Sequence, residues 1–374
     1  MTRQNHLPSG LPAVTRWARR FVAAALFCLA ACLCGVGIGA AVDQNDDADR
    51  ATFIPFDPPG SSITNPVGMN ARGEVFGYYY DAARVDHCFL RNPEGTFTTC
   101  DVPGLHLPFP NGINAEGAIV GYGIDADGIY RGFLRTPDGG FITIDAPGAA
   151  AVAGQGTSPR DINPAGTIVG YFCCSNNAVH GFLRTPRGIF TTIDVPNAGP
   201  ATVPLSVNPW GEITGYYYDA HYSLHGFLRS RQGDFTTIDV PGAGSGLGEG
   251  TSPWTINLRG AITGSYYDAE RAAHGFLRSP QGGIITFDVP DALDTFPDGI
   301  TPGGTITGWY EDTEGVGHGF LRTPEGSFIT FDFPGAAYTM PNSINPAGVI
   351  TGSYQDAGGR LHGFLRIPSG HRRY

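Results

Sequence analysis

The chain contains no lysine; all 23 of its basic residues are arginine. That absence removes Schiff-base chemistry and a phosphate-cradling GxxxxGK[ST] loop from consideration. Charge of either sign is scarce, at 15% of 374 residues, and the net formal charge is −11. Arg3, Arg16, Arg19 and Arg20 lie in the first 40 residues, which hold no acid, so the remainder stands at −15. Such a body lacks the basic footprint that nucleic acids and anionic membrane surfaces require. Cysteine is sparse beyond residue 40, where Cys88, Cys100, Cys173 and Cys174 lack zinc-ligand spacing. Glycine (55) and proline (30) are plentiful, as expected for many short strands joined by tight turns.

Residues 1–41 read as an export signal. Arginines precede an apolar core, and Gly39, Ala40 and Ala41 offer a cleavage site. Arg19-Arg20-Phe21 has a weak twin-arginine character. Two alternatives stay open: Leu29-Ala30-Ala31-Cys32 has the form of a lipobox, which would lipidate Cys32, and the uncharged run from Phe21 to Val42 is long enough for an uncleaved anchor. Each places the body outside the cytoplasm. Residues 42–50 are a polar linker.

From residue 51 onward the chain repeats itself. HGFLR and its variants place Phe at 89, 133, 182, 227, 276, 320 and 364, a period of 44 to 49 residues. A period of this size with strand-like content suggests a β-propeller, one blade per repeat. Each unit carries four short runs: PxxIN, GxIVGYY, HGFLR and FTTIDVP. Turns such as Asn92-Pro93-Glu94-Gly95-Thr96 have the residues of a three-residue hairpin loop with a left-handed glycine. The last repeat lacks its fourth run, and ATFIPFDPPG at 51–60 supplies it. The expected fold is therefore an all-β, seven-bladed propeller of four-stranded blades over 51–374, closed by the N-terminal strand. Pro55 fits this strand only at an edge.

The polar residues that recur are read as architecture. His87, His180, His225, His274, His318 and His362 occupy one position, with Arg131 in the seventh unit. Asp57, Asp101, Asp145, Asp194, Asp239, Asp288 and Asp332 occupy another. A catalytic or metal reading would need seven equivalent sites, whereas buried backbone at strand ends needs such partners in every blade. Cys88 falls directly opposite Cys100 across one hairpin, which suggests a disulfide in an exported protein. Cys173 and Cys174 are adjacent, and both two free thiols and a vicinal disulfide stay open. His221 and His225 lack an HExxH context, and the DADG at Asp125 lacks the later acidic ligand of a calcium loop. No metal or cofactor is expected. The alternating tyrosines of GYYYDA are expected to pack between blades.

The repeat resembles that of bacterial extracellular HAF-type proteins. Ile162-Asn163, Gly166-Thr167-Ile168-Val169-Gly170 and His180-Gly181-Phe182 carry the likeness, which recurs over 51–374. The resemblance implies an exported, propeller-like protein and no defined reaction. Arg131 and Cys88 depart from the pattern.

Function is expected where the repeats differ. The residue after the PxxI proline is the least uniform, and Asn111, Arg160, Trp254, Asp298 and Asn342 at this position form a candidate ligand-binding ring near the channel mouth. Two long crossings, 147–159 and 241–253, concentrate variation on one face. The expected function is a non-catalytic binding or scaffold propeller, monomeric by default, taking a glycan or a cell-surface protein. One alternative is a polysaccharide lyase or glycoside hydrolase using acids among Asp161, Asp298 and Glu249. Another is a purely structural envelope protein.

Overall fold

The computed structural model describes residues 51–370; the export signal, Cys32 and the linker up to residue 50 lie outside them. The described chain is 28 strands arranged as seven four-stranded antiparallel blades, and no helix is present among the described residues. The innermost strands are Ser61–Met69, His106–Ile113, Thr157–Ile162, Thr202–Val207, Gly250–Ile256, Asp294–Ile300 and Tyr338–Ile344, for blades 1 to 7 in order. Each inner strand neighbours the inner strands on either side of it, including the last against the first.

Local chemistry explains the blades. The three hairpins of a blade share one loop form. In the Asn92–Thr96 loop, Gly95 N donates to Asn92 O and takes φ 93°, while Asn92 N donates to Thr96 O. This is a type I turn closed by a left-handed residue, which matches the twist of the flanking strands. The DVPG corner is a β-turn with proline before a positive-φ residue, as at Val240–Ala243, where Gly242 has φ 94°.

The seven phenylalanines of HGFLR are at most 1% exposed and sit at the centre of the core between blades. Phe89 follows Cys88, and the other six follow a glycine that packing favours: a Cβ on Gly226 would lie 2.6 Å from Pro253 Cγ of the next blade. Backbone bridges add to this contact. Tyr130 pairs with Gly156, Val179 with Ala201 and Leu224 with Gly250, all parallel and each between consecutive blades. The blade 4–5 bridge joins two blades into a single eight-stranded sheet.

The ring closes through Thr52–Phe56, which pairs antiparallel with the third strand of blade 7 from Thr52↔Ile367 to Phe56↔Gly363. Pro55 lies on this outermost strand and is exposed. Cys88 and Cys100 are joined as a disulfide with Cα atoms 4.9 Å apart, one step beyond the Phe89↔Thr99 pair. Cys173 and Cys174 are free.

Candidate functional site

The inner strand of every blade carries a β-bulge at one place. The pairing with the second strand skips a residue between Pro66 and Gly68, and likewise after Pro110, Pro159, Pro204, Pro253, Pro297 and Pro341. The skipped residues are Val67, Asn111, Arg160, Leu205, Trp254, Asp298 and Asn342, the least uniform position of the repeat. A bulge leaves its extra residue unpaired and re-aims its side chain. These residues lie two positions before the end of the inner strand that feeds the NPAG turn. The ring is thus displaced toward the short-turn face, away from the variable crossings.

The seven side chains divide by environment. Val67 and Leu205 pack into apolar clusters. Asn111 Nδ2 donates to Pro159 O at 2.8 Å, and Asn342 Nδ2 to Pro66 O at 2.6 Å, so both amides tie one inner strand to the next. Trp254 packs against the buried cluster of Ala201, Val203 and Leu205. Arg160 on blade 3 acts electrostatically on the Tyr122 and Tyr216 hydroxyls of blades 2 and 4. Asp298 on blade 6 is three blades from Arg160. Its Oδ2 is buried without a hydrogen-bond partner, and burial alone holds the carboxyl well above the ordinary carboxylate range. Its backbone carbonyl accepts from Thr255 Oγ1 at 2.8 Å, which places it against the strand of Trp254.

The three acids offered for catalysis are not brought together. Asp161 accepts from Ile162 N, Ser206 Oγ and Val207 N, which joins blade 3 to blade 4. Glu249 lies in the 241–253 crossing and accepts from Gly246 N. No neighbouring charge contributes to the shift of Asp298. A pair of cooperating carboxylates, the requirement for glycosidic cleavage, is not assembled from these residues.

The recurring His and Asp form clamps on the crossing face. Nδ1 of His87, His180, His225, His274, His318 and His362 meets Asp101, Asp194, Asp239, Asp288, Asp332 and Asp57 at 2.7 to 3.0 Å. Arg131 takes the same place against Asp145. A second aspartate, absent from the sequence reading, completes most clamps: Asp81, Asp125, Asp219, Asp268, Asp312 and Asp356 approach from the loop before the third strand. Their other carboxylate oxygens accept loop N–H groups, as Asp81 Oδ1 does from Ala83 and Val85. Five clamp imidazoles stack on the tyrosine two places after the second strand's glycine, as His87 does on Tyr79 at 4.9 Å. Blade 2, where arginine replaces histidine, has Gly123 opposite it instead of an aromatic.

The asparagines of PxxIN form an inner girdle. Nδ2 of Asn70, Asn114, Asn163 and Asn257 donates to the carbonyl of Asn114, Asn163, Asn208 and Thr301 in the next blade. These repeated groups are therefore spent on the ring. Among the described residues no group of three His, Cys, Asp or Glu side chains could hold a metal ion.

The clamps set a pH dependence. Burial pulls the His87, His274 and His318 imidazoles down, but bonds to their paired aspartates outweigh it and raise them above the ordinary value. That stabilisation is complete below the unfolded imidazole pKa and is lost as pH rises through the folded one. In Asp81 and Asp356, hydrogen bonds from loop backbone lead the causes that lower the carboxyls. In Asp268 and Asp312, burial opposes and the imidazole and backbone bonds prevail. Their contribution is lost as pH falls through the lowered values. Thermal stability is expected to peak between about pH 5 and 6.5. Solvent screening keeps the change small, so a melting profile with its maximum above pH 8 would refute the clamp account.

No protein-family model and no curated protein matches the chain. Solved structures do. A streptogramin B lyase is 14% identical over 86% of this chain and 100% of its own, with a TM-score of 0.55. The lectin BP39L from Burkholderia pseudomallei is 9% identical over 87% and 97%, with a TM-score of 0.54. YCF48 bound to D1 peptide is 12% identical over 88% and 99%, with a TM-score of 0.50. The chain is a β-propeller. At these identities the likeness is one of fold, and the neighbours' activities differ among themselves.

Proposed function

We propose that this propeller is an exported, non-catalytic binding protein of the HAF-repeat type, whose ligand is a glycan or a cell-surface protein. The observation that carries the reading is Asp298. A buried carboxyl without a partner destabilises the fold, and a residue that costs stability on a channel-lining bulge is what a binding site retains. Trp254, on the adjacent strand, supplies an aromatic surface, and Arg160, three blades away, a cation. The raised carboxyl also suits a general acid, which favours a channel glycosidase as the second reading. That reading needs a second carboxylate within reach, and Asp161 is committed to blade 4.

A thermal-shift screen of the purified chain against oligosaccharides and polysaccharides tests the proposal. A ligand present at 100 times its dissociation constant adds about 2.7 kcal/mol of stability, so the true ligand class is expected to raise the melting temperature in a concentration-dependent way. Alanine at Trp254 or Arg160 is expected to abolish the shift. Retention of the full shift in both variants would remove the channel ring as the site.

A further inference from the structure

The crossing face holds a second concave feature, independent of the channel ring, at the junction of blades 4 and 5. A cleft of ≈ 360 Å³ is lined in part by Asp219, His221, Ser223, His225, Asp239 and Thr251. Its size falls in the range of small-molecule sites, about 300 to 1,000 Å³.

The repeat provides its own control. Asp219, His225 and Asp239 have counterparts in other blades and belong to a clamp. His221 and Ser223 do not: the other blades carry Ala83, Asp127, Asn176, Glu270, Glu314 and Gly358 where blade 4 has His221. His221 is exposed, at 88% of its side chain. The wall opposite is the long crossing 241–253, held in place on both sides. Ser223 Oγ donates to Ser245 O, Leu224 N to Glu249 O, and Gly248 N to Tyr222 O. Tyr222 takes φ 64° at a loop position that is left-handed in every blade, held by Arg84, Asn177 and Arg271 as well as by Gly128, Gly315 and Gly359.

Asp219 Oδ1 accepts from His221 N and Ser223 N. Asp219 Oδ2 stands 3.6 Å from His225 Nε2 and 3.7 Å from His221 Nδ1, beyond hydrogen-bond distance in both directions. The equivalent contact is 3.2 Å in the clamps of His274, His318 and His362 and 3.6 Å in that of His87, so blade 4 differs in the second imidazole, His221, brought to the same oxygen. A gap of this width between a carboxylate and imidazole nitrogens is the place for a bridging hydroxyl.

We propose that this cleft binds a single saccharide unit, with one hydroxyl donating to Asp219 Oδ2 and accepting from an imidazole. A hydroxyl both donates and accepts, whereas the carboxylate only accepts. An anion would meet two carboxylates and no arginine among the lining residues. An apolar ligand would strand those carboxylates.

The test is ligand-observed NMR, followed by titration calorimetry, on the purified chain with the methyl glycosides of glucose, galactose, mannose and N-acetylglucosamine. At least one is expected to bind. His221→Ala, an exposed change that removes no core contact, is expected to weaken it tenfold or more, with partial recovery in His221→Gln and no change in Ile189→Ala, an exposed position on another blade. Loss in Trp254→Ala with retention in His221→Ala would overturn the cleft while leaving a glycan in the channel. Failure of the wild-type chain to bind any of the four, or His221-dependent binding of zinc in their place, would also overturn it.

Discussion

A chain starting at Ser61, without residues 51–60, is expected to lose its cooperative melting transition. The missing strand is the outer strand of blade 7, and its side chains belong to two interfaces. Phe56 is 7% exposed and packs with Met69, Val75 and Phe89 of blade 1, with Arg91 lying over its ring at 5.1 Å. Phe53 meets Phe331, Phe333 and Phe364 at 5.7 to 6.2 Å. Asp57 is the clamp partner of His362 and also accepts from Thr64. Truncating one buried phenylalanine costs about 3 to 5 kcal/mol, and a domain holds about 5 to 15 in total. Removing both, with the ladder and the clamp, is a loss comparable to that whole margin. Circular dichroism melts report the result. Restoring residues 51–60 at the C-terminus, as a permuted chain, should recover the transition because the same edge is filled. A truncated chain melting within a few degrees of the parent would show that closure contributes little.

The second large effect has the opposite sign. Asp298→Val is expected to stabilise the protein by about 1 to 3 kcal/mol at neutral pH, the range for relieving a buried unsatisfied polar group. Valine already occupies the equivalent bulge in blade 1, as Val67, so the backbone accepts it. The pH course identifies the cause. Burial raises the folded carboxyl above its unfolded value, so the native state holds a proton that the unfolded state releases. Stability then falls as pH rises from the ordinary carboxylate range through the folded value. The variant's advantage should therefore be smallest near pH 4 and grow toward neutrality. A loss of stability at pH 7 would mean that the carboxyl has a partner in solution. If ligand binding disappears in this variant as stability rises, the carboxyl is kept for binding.

The ring was readable because the sequence contains seven copies of one argument. The phenylalanine spacing, the three hairpin loops and the fragment at 51–60 determine blade count and closure before any coordinate is known. The pairing of Cys88 with Cys100 follows from the same hairpin arithmetic. What the copies share in every blade is harder to see. The bulge after the PxxI proline leaves no trace in the spacing, because no blade lacks it for comparison. The second aspartates of the clamps were hidden in loops that looked like turn chemistry, which they also serve. The girdle of asparagine amides joins residues about 44 positions apart, and periodicity reveals that such residues matter without showing that they touch. The candidate ring was legible as variation but not as geometry. Its displacement toward the short-turn face comes from its place two residues before the end of the inner strand, and the raised carboxyl of Asp298 from burial that no neighbouring charge offsets.

Closure by the N-terminal strand also orders events in time. Phe56 and its partner Gly363 are separated by almost the whole described chain, and contacts of such long range form late. The first strand to leave the ribosome is the last to be seated. Until residue 367 has been made, blade 7 cannot offer the edge that Thr52–Phe56 requires. A prematurely ended chain is left with a loose strand at one end and an open sheet at the other, both adhesive to other chains and open to proteases. The position of one strand thus makes completeness of synthesis a condition of survival.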